Sequence, residues 1–191
     1  MMADALTGGF TDAPVEAARA FRAIMNALAR PGRIEVVVGA VPPLPLSVAA
    51  GVVLLTLADG TTPVHLAPSH DVAAVRDWLT FHCGCPLVAA EQAVFAVGLW
   101  DALLPIGRFP IGTAEYPDRS TTLIVEVPAL SGPPGGARLT GPGIRGEARL
   151  CLPDVEILAG NHAQFPLGCD LYLTAGDRLA GLPRSTKPEA V

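Results

Sequence analysis

The chain has 191 residues, half of them hydrophobic, only 16% charged, with a formal net charge of −5. That length suits one domain, or one domain with a small extension, which buries roughly 70% of its unfolded surface without a disulfide or metal staple. A pI of about 5.3 leaves no basic field to release phosphate counterions, which argues against nucleic acid as a partner.

The mean hydropathy of +0.43 is high for a soluble chain and points to surface buried against a partner. Met1-Met2-Ala3-Asp4-Ala5 lacks the basic and apolar regions of a secretory signal, so the expected location is cytoplasmic. No membrane span is expected either, because the apolar run Val48 to Ala58 is interrupted by Gly51 and Thr56 and falls short of the roughly 18 residues a spanning helix needs. Cys83, Cys85, Cys151 and Cys169 do not form a paired framework and read as reduced thiols. Of thirteen basic residues only Lys187 is a lysine. In the expected tail Ser185-Thr186-Lys187-Pro188-Glu189 it would be mobile and hydrated, which disfavours Schiff-base chemistry.

From Thr11 the spacing predicts a helix with Val15, Ala18, Phe21, Met25 and Leu28 on its buried face, stopped by Pro31-Gly32. Arg19, Arg22 and Arg30 lie on or beside the polar face, either as a solvated surface or as an anion site. Arg22 follows Phe21 at the edge of the apolar face, where an arginine more often has a fixed role. Arg33 to Val38 reads as a strand and Val41 to Pro45 as an extended connector. Ser47 then caps a helix from Val48 to Ala58 that is apolar nearly all round and belongs in the core or an interface. Asp59-Gly60 is a turn, with a catalytic Asp59 the lesser reading. Pro63 to Ala67 is a short strand.

Ser69 or His70 is expected to cap the next helix, which carries Val72, Val75, Leu79 and His82 at helical spacing. His82 closes it, favourably placed for the helix dipole. His82-Cys83-Gly84-Cys85 also offers three metal ligands on a tight turn, although a Cys-x-Cys lacks the second pair that a zinc tetrahedron needs. Ala93 to Leu99 is a strand, and Trp100 to Asp118 a long proline- and glycine-marked loop or broken element. Thr121 to Val127 is a further strand. The glycine-rich turn at Ser131 to Gly136 has no Walker spacing and no lysine, and is expected to join the strands of a hairpin. Pro153 to Gly160 forms a short helix.

The last predicted unit is a β-hairpin. Leu167, Cys169, Leu171 and Leu173 alternate with Gly168, Asp170, Tyr172 and Thr174, Gly176-Asp177 turns, and Leu179 to Leu182 returns. Asp170 then sits on the face opposite the leucines, solvated or held by obligatory hydrogen bonds. The whole chain reads as a single α/β domain, residues 1–191, with a mixed sheet flanked by helices and flexible tails at 1–11 and 185–191.

An ordered set of motifs adds a resemblance: Phe21-Arg22 before Arg30-Pro31-Gly32, Leu54 to Asp59, Phe81-His82, Leu130-Ser131-Gly132, Leu139 to Ile144, Phe165-Pro166-Leu167-Gly168-x-Asp170, and Leu182 to Thr186. The set, running from about Phe21 to Thr186, resembles the PhnH family of phosphonate metabolism proteins. The resemblance implies a homodimeric subunit of the bacterial carbon-phosphorus lyase system that enters a larger core complex. For the assembly it implies attack of an alkylphosphonate oxygen on C1′ of ATP, displacing adenine to give a ribose 1-alkylphosphonate 5-triphosphate. This chain would be a required subunit, or an architectural dimer that scaffolds catalytic partners. It also implies a fold similar to PLP-dependent transferases without bound PLP, and no cofactor held by this chain, ATP being substrate of the complex. Such a displacement needs clamps on the triphosphate and phosphonate. Arg22 and Arg184, from the family-like motifs, and His82 and Asp170, polar in apolar segments, are the candidate ligand-binding residues. Their alternative role is to fix the fold or the dimer.

Overall fold

The computed structural model describes residues 7–130 and 136–191. In chain order its elements are α1 (Ala13–Ala29), β1 (Ile34–Val36), α2 (Val48–Leu57), β2 (Val64–Leu66), α3 (Ala73–His82), β3 (Phe95–Leu99), α4 (Trp100–Leu103), β4 (Thr122–Glu126), β5 (Ala137–Thr140), β6 (Ala148–Leu150), α5 (Val155–His162), β7 (Asp170–Ala175), β8 (Arg178–Leu182) and β9 (Lys187–Glu189). Six strands form one mixed sheet in the order β1-β8-β7-β4-β3-β2. Strands β2, β3, β4 and β7 run parallel, while β8 is antiparallel to both β7 and β1. A second, antiparallel sheet has the order β6-β5-β9. The molecule is a single α/β domain with its mixed sheet flanked by helices.

Both faces of the large sheet are covered, which is why its central strands are near-continuous apolar runs. The register sorts their side chains by alternation. Val97, Ile124, Tyr172 and Leu179 share a core with Ala20, Ile24 and Ala27 of α1, Val52 and Val53 of α2, and Val75, Trp78 and Leu79 of α3. Ala96, Leu123, Val125, Leu171, Leu173 and Ala180 form the other, with Trp100, Leu103, Leu158 and the small-sheet residues Leu139 and Leu150.

The buried face of α1 is not the expected one. Val15, Phe21 and Met25 are 43%, 52% and 49% exposed, while Ala20, Ile24 and Ala27 are buried. The reason is how closely the helix lies on the sheet. A Cβ on Gly181 would come within 2.6 Å of the backbone of Ala27 and Leu28, so β8 and α1 meet almost backbone to backbone. Small residues permit that approach, and the larger apolar ones are left facing outward.

Other expectations hold. Ser47 accepts from the Ala50 N–H at 3.1 Å at the start of α2, whose residues Ala49 to Leu54 are buried. Asp59 Oδ1 accepts from the Thr61 N–H and from the hydroxyls of Thr61 and Thr62, confirming a turn former. The hairpin is present as β7 and β8, with Ala175 opposite Arg178 across Gly176-Asp177. Its first strand begins at Asp170, because residues 165–168 form turns and bends instead of extended chain.

Four expectations are corrected. Neither Ser69 nor His70 caps α3: the helix starts after Val72 without a side-chain cap, the Ser69 hydroxyl accepts from the Leu99 N–H at 3.0 Å, and His70 turns into the interior. The glycine-rich stretch joins no hairpin, since β4 and β5 belong to different sheets; residues 131–135 themselves lie outside the described residues. The C-terminal segment is not a loose tail. Lys187–Glu189 pairs with β5, Pro188 opposite Leu139, and the Lys187 Nζ lies 2.8 Å from Glu189. Nor is the described part of the N-terminal segment loose, because the Gly8 carbonyl accepts from the Val41 N–H at 2.8 Å and the Thr7 carbonyl from Trp78 Nε1 at 3.1 Å.

Candidate functional site

Of the four ligand-binding candidates read from the sequence, the structure joins two. Asp170, at the first position of β7, accepts the backbone N–H of Arg184 on Oδ1 at 2.9 Å, and its Oδ2 lies 3.4 Å from the Arg184 Nη2. Arg184 Nη1 donates to the carbonyls of Pro117 at 2.7 Å and Gly168 at 2.9 Å, and to the Ser120 hydroxyl. The guanidinium thus ties β8's exit to the 117–120 turn and the loop before β7. Both Nη1 hydrogens are taken up by these acceptors, and Nη2 faces the Asp170 carboxylate. His82 ends α3 with its ring beside Trp78 and Phe81, and its Nε2 lies 3.2 Å from the Thr7 carbonyl. Arg22 stands exposed on the outer side of α1. Among the described residues no hydrogen bond or ion pair brings Arg22 or His82 to Asp170 and Arg184.

The structure places a different polar group where parallel sheets bind ligands, outside the carboxyl ends of the strands. A cleft of about 460 Å³ opens past β3 and β4. Leu99, Trp100, Asp101, Glu126, Val127 and Cys151 are among its lining residues. Glu126 is only 8% exposed. Its Oε1 accepts from the Ser47 N–H at 2.7 Å, so it also docks the N-terminus of α2, where a carboxylate is favoured by the helix dipole. Burial pushes its pKa up from the ordinary value, opposed by bonds from the Ser47 N–H and from the hydroxyls of Ser47 and Thr174.

Behind Glu126 lies His70, 1% exposed, its Nε2 3.9 Å from Glu126 Oε1. The Ser69 hydroxyl, which accepts from the Leu99 N–H, lies 3.0 Å from Nδ1. Burial lowers the His70 pKa, partly offset by the Pro45 carbonyl, and keeps the ring neutral. The cleft therefore offers an apolar wall and the two carboxylates of Asp101 and Glu126, with no basic residue in its lining.

Glu126 was legible by the same signal that singled out Asp170: one carboxylate inside the apolar run Leu123-Ile124-Val125-Glu126-Val127. His70 was not, because a histidine after a serine at the end of a strand looks like a cap. The metal reading of His82, Cys83 and Cys85 is not assembled, since His82 is engaged with Thr7. Among the described residues no group of three or more His, Cys, Asp or Glu is placed to hold a metal ion.

Residues 8–189 match the family model described as bacterial phosphonate metabolism protein (PhnH). The chain belongs to the PhnH family. Membership agrees with two relatives that align almost end to end. The alpha-D-ribose 1-methylphosphonate 5-triphosphate synthase subunit PhnH of Rhizobium meliloti (strain 1021) is 43% identical over 193 aligned positions, covering 96% of this chain and 95% of the relative. The "Putative C-P lyase subunit protein HtxG" of Stutzerimonas stutzeri is 31% identical over 201 positions, covering 93% of each. Within the PhnH family, then, the Asp170–Arg184 lock and the Glu126 cleft are features of a chain matched over nearly its whole length. No helix among the described residues is long and apolar enough to cross a membrane.

Proposed function

We propose that this chain is the PhnH-type subunit of a synthase in organic phosphonate catabolism. With partner subunits of a carbon-phosphorus lyase core, it serves the attack of an alkylphosphonate on C1′ of ATP, releasing adenine and giving a ribose 1-alkylphosphonate 5-triphosphate. The observation that carries this reading is the end-to-end match to a relative that bears that synthase subunit name.

The geometry narrows the role. A displacement at C1′ of ATP needs cationic clamps on four phosphorus centres' worth of oxygen charge, whereas the Glu126 cleft presents carboxylates and no basic residue, and Arg184 is bonded within the chain. The clamps therefore come from partner subunits, and the isolated chain is inactive. The chain itself binds no PLP in this reading even though its fold is taken as a relative of the PLP-dependent transferases. Its single lysine, Lys187, is exposed on β9 and paired with Glu189 rather than desolvated.

A second reading, the architectural dimer, is favoured by a specific surface. Val15, Phe21 and Met25 stand exposed on α1, and Val36, at the end of the open edge strand β1, and Val38, just beyond it, are 60% and 70% exposed. A groove lined by Glu16, Arg19, Ala20, Ala23 and Val36 to Val38 runs between α1 and that edge. Such a face on a cytoplasmic protein is a site for a second copy or a core subunit.

Adenine release from ATP plus methylphosphonate, with co-expressed partner subunits and with or without this chain, tests both readings when complex size is followed in the same samples. Release that disappears without the chain and returns on adding it supports the synthase subunit. If Phe21→Ser and Val38→Ser then abolish release only where they abolish assembly, the role is architectural. Release unchanged without the chain overturns the proposal.

A further inference from the structure

Glu126 is a buried carboxylate without a counter-ion. It ends β4 opposite Leu99, the last residue of β3, and is only 8% exposed. Carboxylates so deeply buried are rarely left unpaired. Among the described residues the basic group within ion-pair distance is His70, at 3.9 Å, and burial favours its neutral form. The N-terminus of α2 contributes the Ser47 N–H at 2.7 Å, a hydrogen bond with a partial charge behind it and not a full cation. A carboxylate offers about four acceptor positions, and Glu126 still lines the cleft.

The surroundings complete a receptor for a long cation. Leu99, Val127, Leu152 and Pro153 form an apolar wall, and Asp101 adds a second, exposed carboxylate. Two carboxylates with no basic residue beside them repel a phosphate. An arginine satisfies both parts of the cleft: its methylene stem lies along the apolar wall while its planar head makes paired hydrogen bonds to a carboxylate.

We propose that the Glu126 cleft is the socket for an arginine side chain of a partner subunit. The inference rests on the reading of this chain as one subunit of a multi-subunit synthase, and it names one contact that holds the subunit in place. Charge complementarity selects the occupant, since the cleft is acidic in a chain of net charge −5. The rim selects its source. Leu99 is 50% exposed there, apolar surface that a subunit face covers and a free amine of a few atoms does not.

The test has two arms, both on the full chain. In the first, n-butylguanidinium, which is an arginine side chain without its backbone, and the uncharged n-butylurea are titrated into the isolated chain and followed by amide NMR shifts. The guanidinium is expected to bind at least about tenfold more tightly than the urea, with shifts at Leu99, Asp101, Glu126 and Val127. Glu126→Gln, which keeps an oxygen for the Ser47 N–H, should abolish that preference. Asp101→Asn, at an exposed position, should weaken it without disturbing the core. In the second arm the same variants are titrated against the partner subunits, where the Kd of Glu126→Gln should rise at least about tenfold. A guanidinium that binds no better than the urea, or equally well to both variants, overturns the proposal. So does a Glu126→Gln chain that loses butylguanidinium yet joins the partner subunits like wild type, which makes the cleft a site for a free amine. Adenine release is followed in the same complexes: where it still depends on this chain, the synthase-subunit reading stands although the socket has failed.

Discussion

Asp170 and Arg184 meet twice, once through the Arg184 backbone N–H at 2.9 Å from Oδ1 and once through the guanidinium at 3.4 Å from Oδ2. The side chains are 21% and 15% exposed, and the same guanidinium satisfies two carbonyls and a hydroxyl. It is a staple between three loops, not a free cation. Truncating it leaves several half-buried acceptors unpaired along with a carboxylate.

Arg184→Ala is therefore expected to destabilise the chain by about 2–4 kcal/mol, read from urea midpoints at constant m. Arg22→Ala, on the exposed side of α1, is expected to stay within about 0.5 kcal/mol of wild type. Should Arg184→Ala unfold like wild type, the arginine is not structural and its ligand-binding role returns.

Gly181 gives a second prediction. A Cβ there would lie 2.6 Å from the Ala27 and Leu28 backbone, atoms that cannot step aside as a flexible side chain would. Gly181→Ala must push α1 off β8, where the Tyr172 hydroxyl also reaches the Ile24 carbonyl at 3.4 Å. A loss of about 1–3 kcal/mol is expected, measured by thermal or urea unfolding. A neutral or stabilising result would mean that α1 sits farther from the sheet.

The closeness of α1 to β8 also marks where sequence reading ends. Element type was legible wherever a local rule decided it: the Ser47 cap, the apolar run of α2, the Asp59 turn and the Gly176-Asp177 hairpin all rest on neighbours within a few residues. The buried face of α1 was not, because two apolar stripes compete along that helix and the choice depends on Gly181, more than 150 positions away. The C-terminal strand was hidden for a similar reason. Lys187-Pro188-Glu189 has no strand propensity of its own and is extended because β5 receives it. The site was half legible. A lone carboxylate in an apolar strand was a sound signal, applied to Asp170, where it marks a staple, and not to Glu126, where it marks the cleft.

Deleting residues 187–191 should show that this end belongs to the core. Pro188 is buried opposite Leu139, itself fully buried, and β9 also packs against α5. The ion pairs of Glu189 with Arg138 and Lys187 are exposed and contribute little, so the loss comes from uncovering apolar side chains and one sheet edge. About 2 kcal/mol or more is expected, seen as a lower urea midpoint or loss of soluble protein. A truncated chain with the wild-type midpoint would return the segment to a dispensable tail.

The pH dependence of stability separates Glu126 from His70. Burial raises the folded-state pKa of Glu126 above its ordinary 4.5, so between 4.5 and that raised value the folded chain binds more protons than the unfolded one, and this group favours folding more as pH falls. For His70 the folded pKa lies below its ordinary 6.5. Between those values the unfolded chain binds the extra proton, and this group disfavours folding as pH falls. Glu126→Gln removes the first contribution and leaves the second. Whatever the offset at neutral pH, the wild-type Tm minus the variant Tm should therefore increase as pH is lowered from 7 to about 5. A difference that stays constant or shrinks would show that Glu126 is already ionised without penalty in the folded state. In that case the Ser47 and Thr174 bonds, rather than burial, govern the carboxylate at the mouth of the cleft.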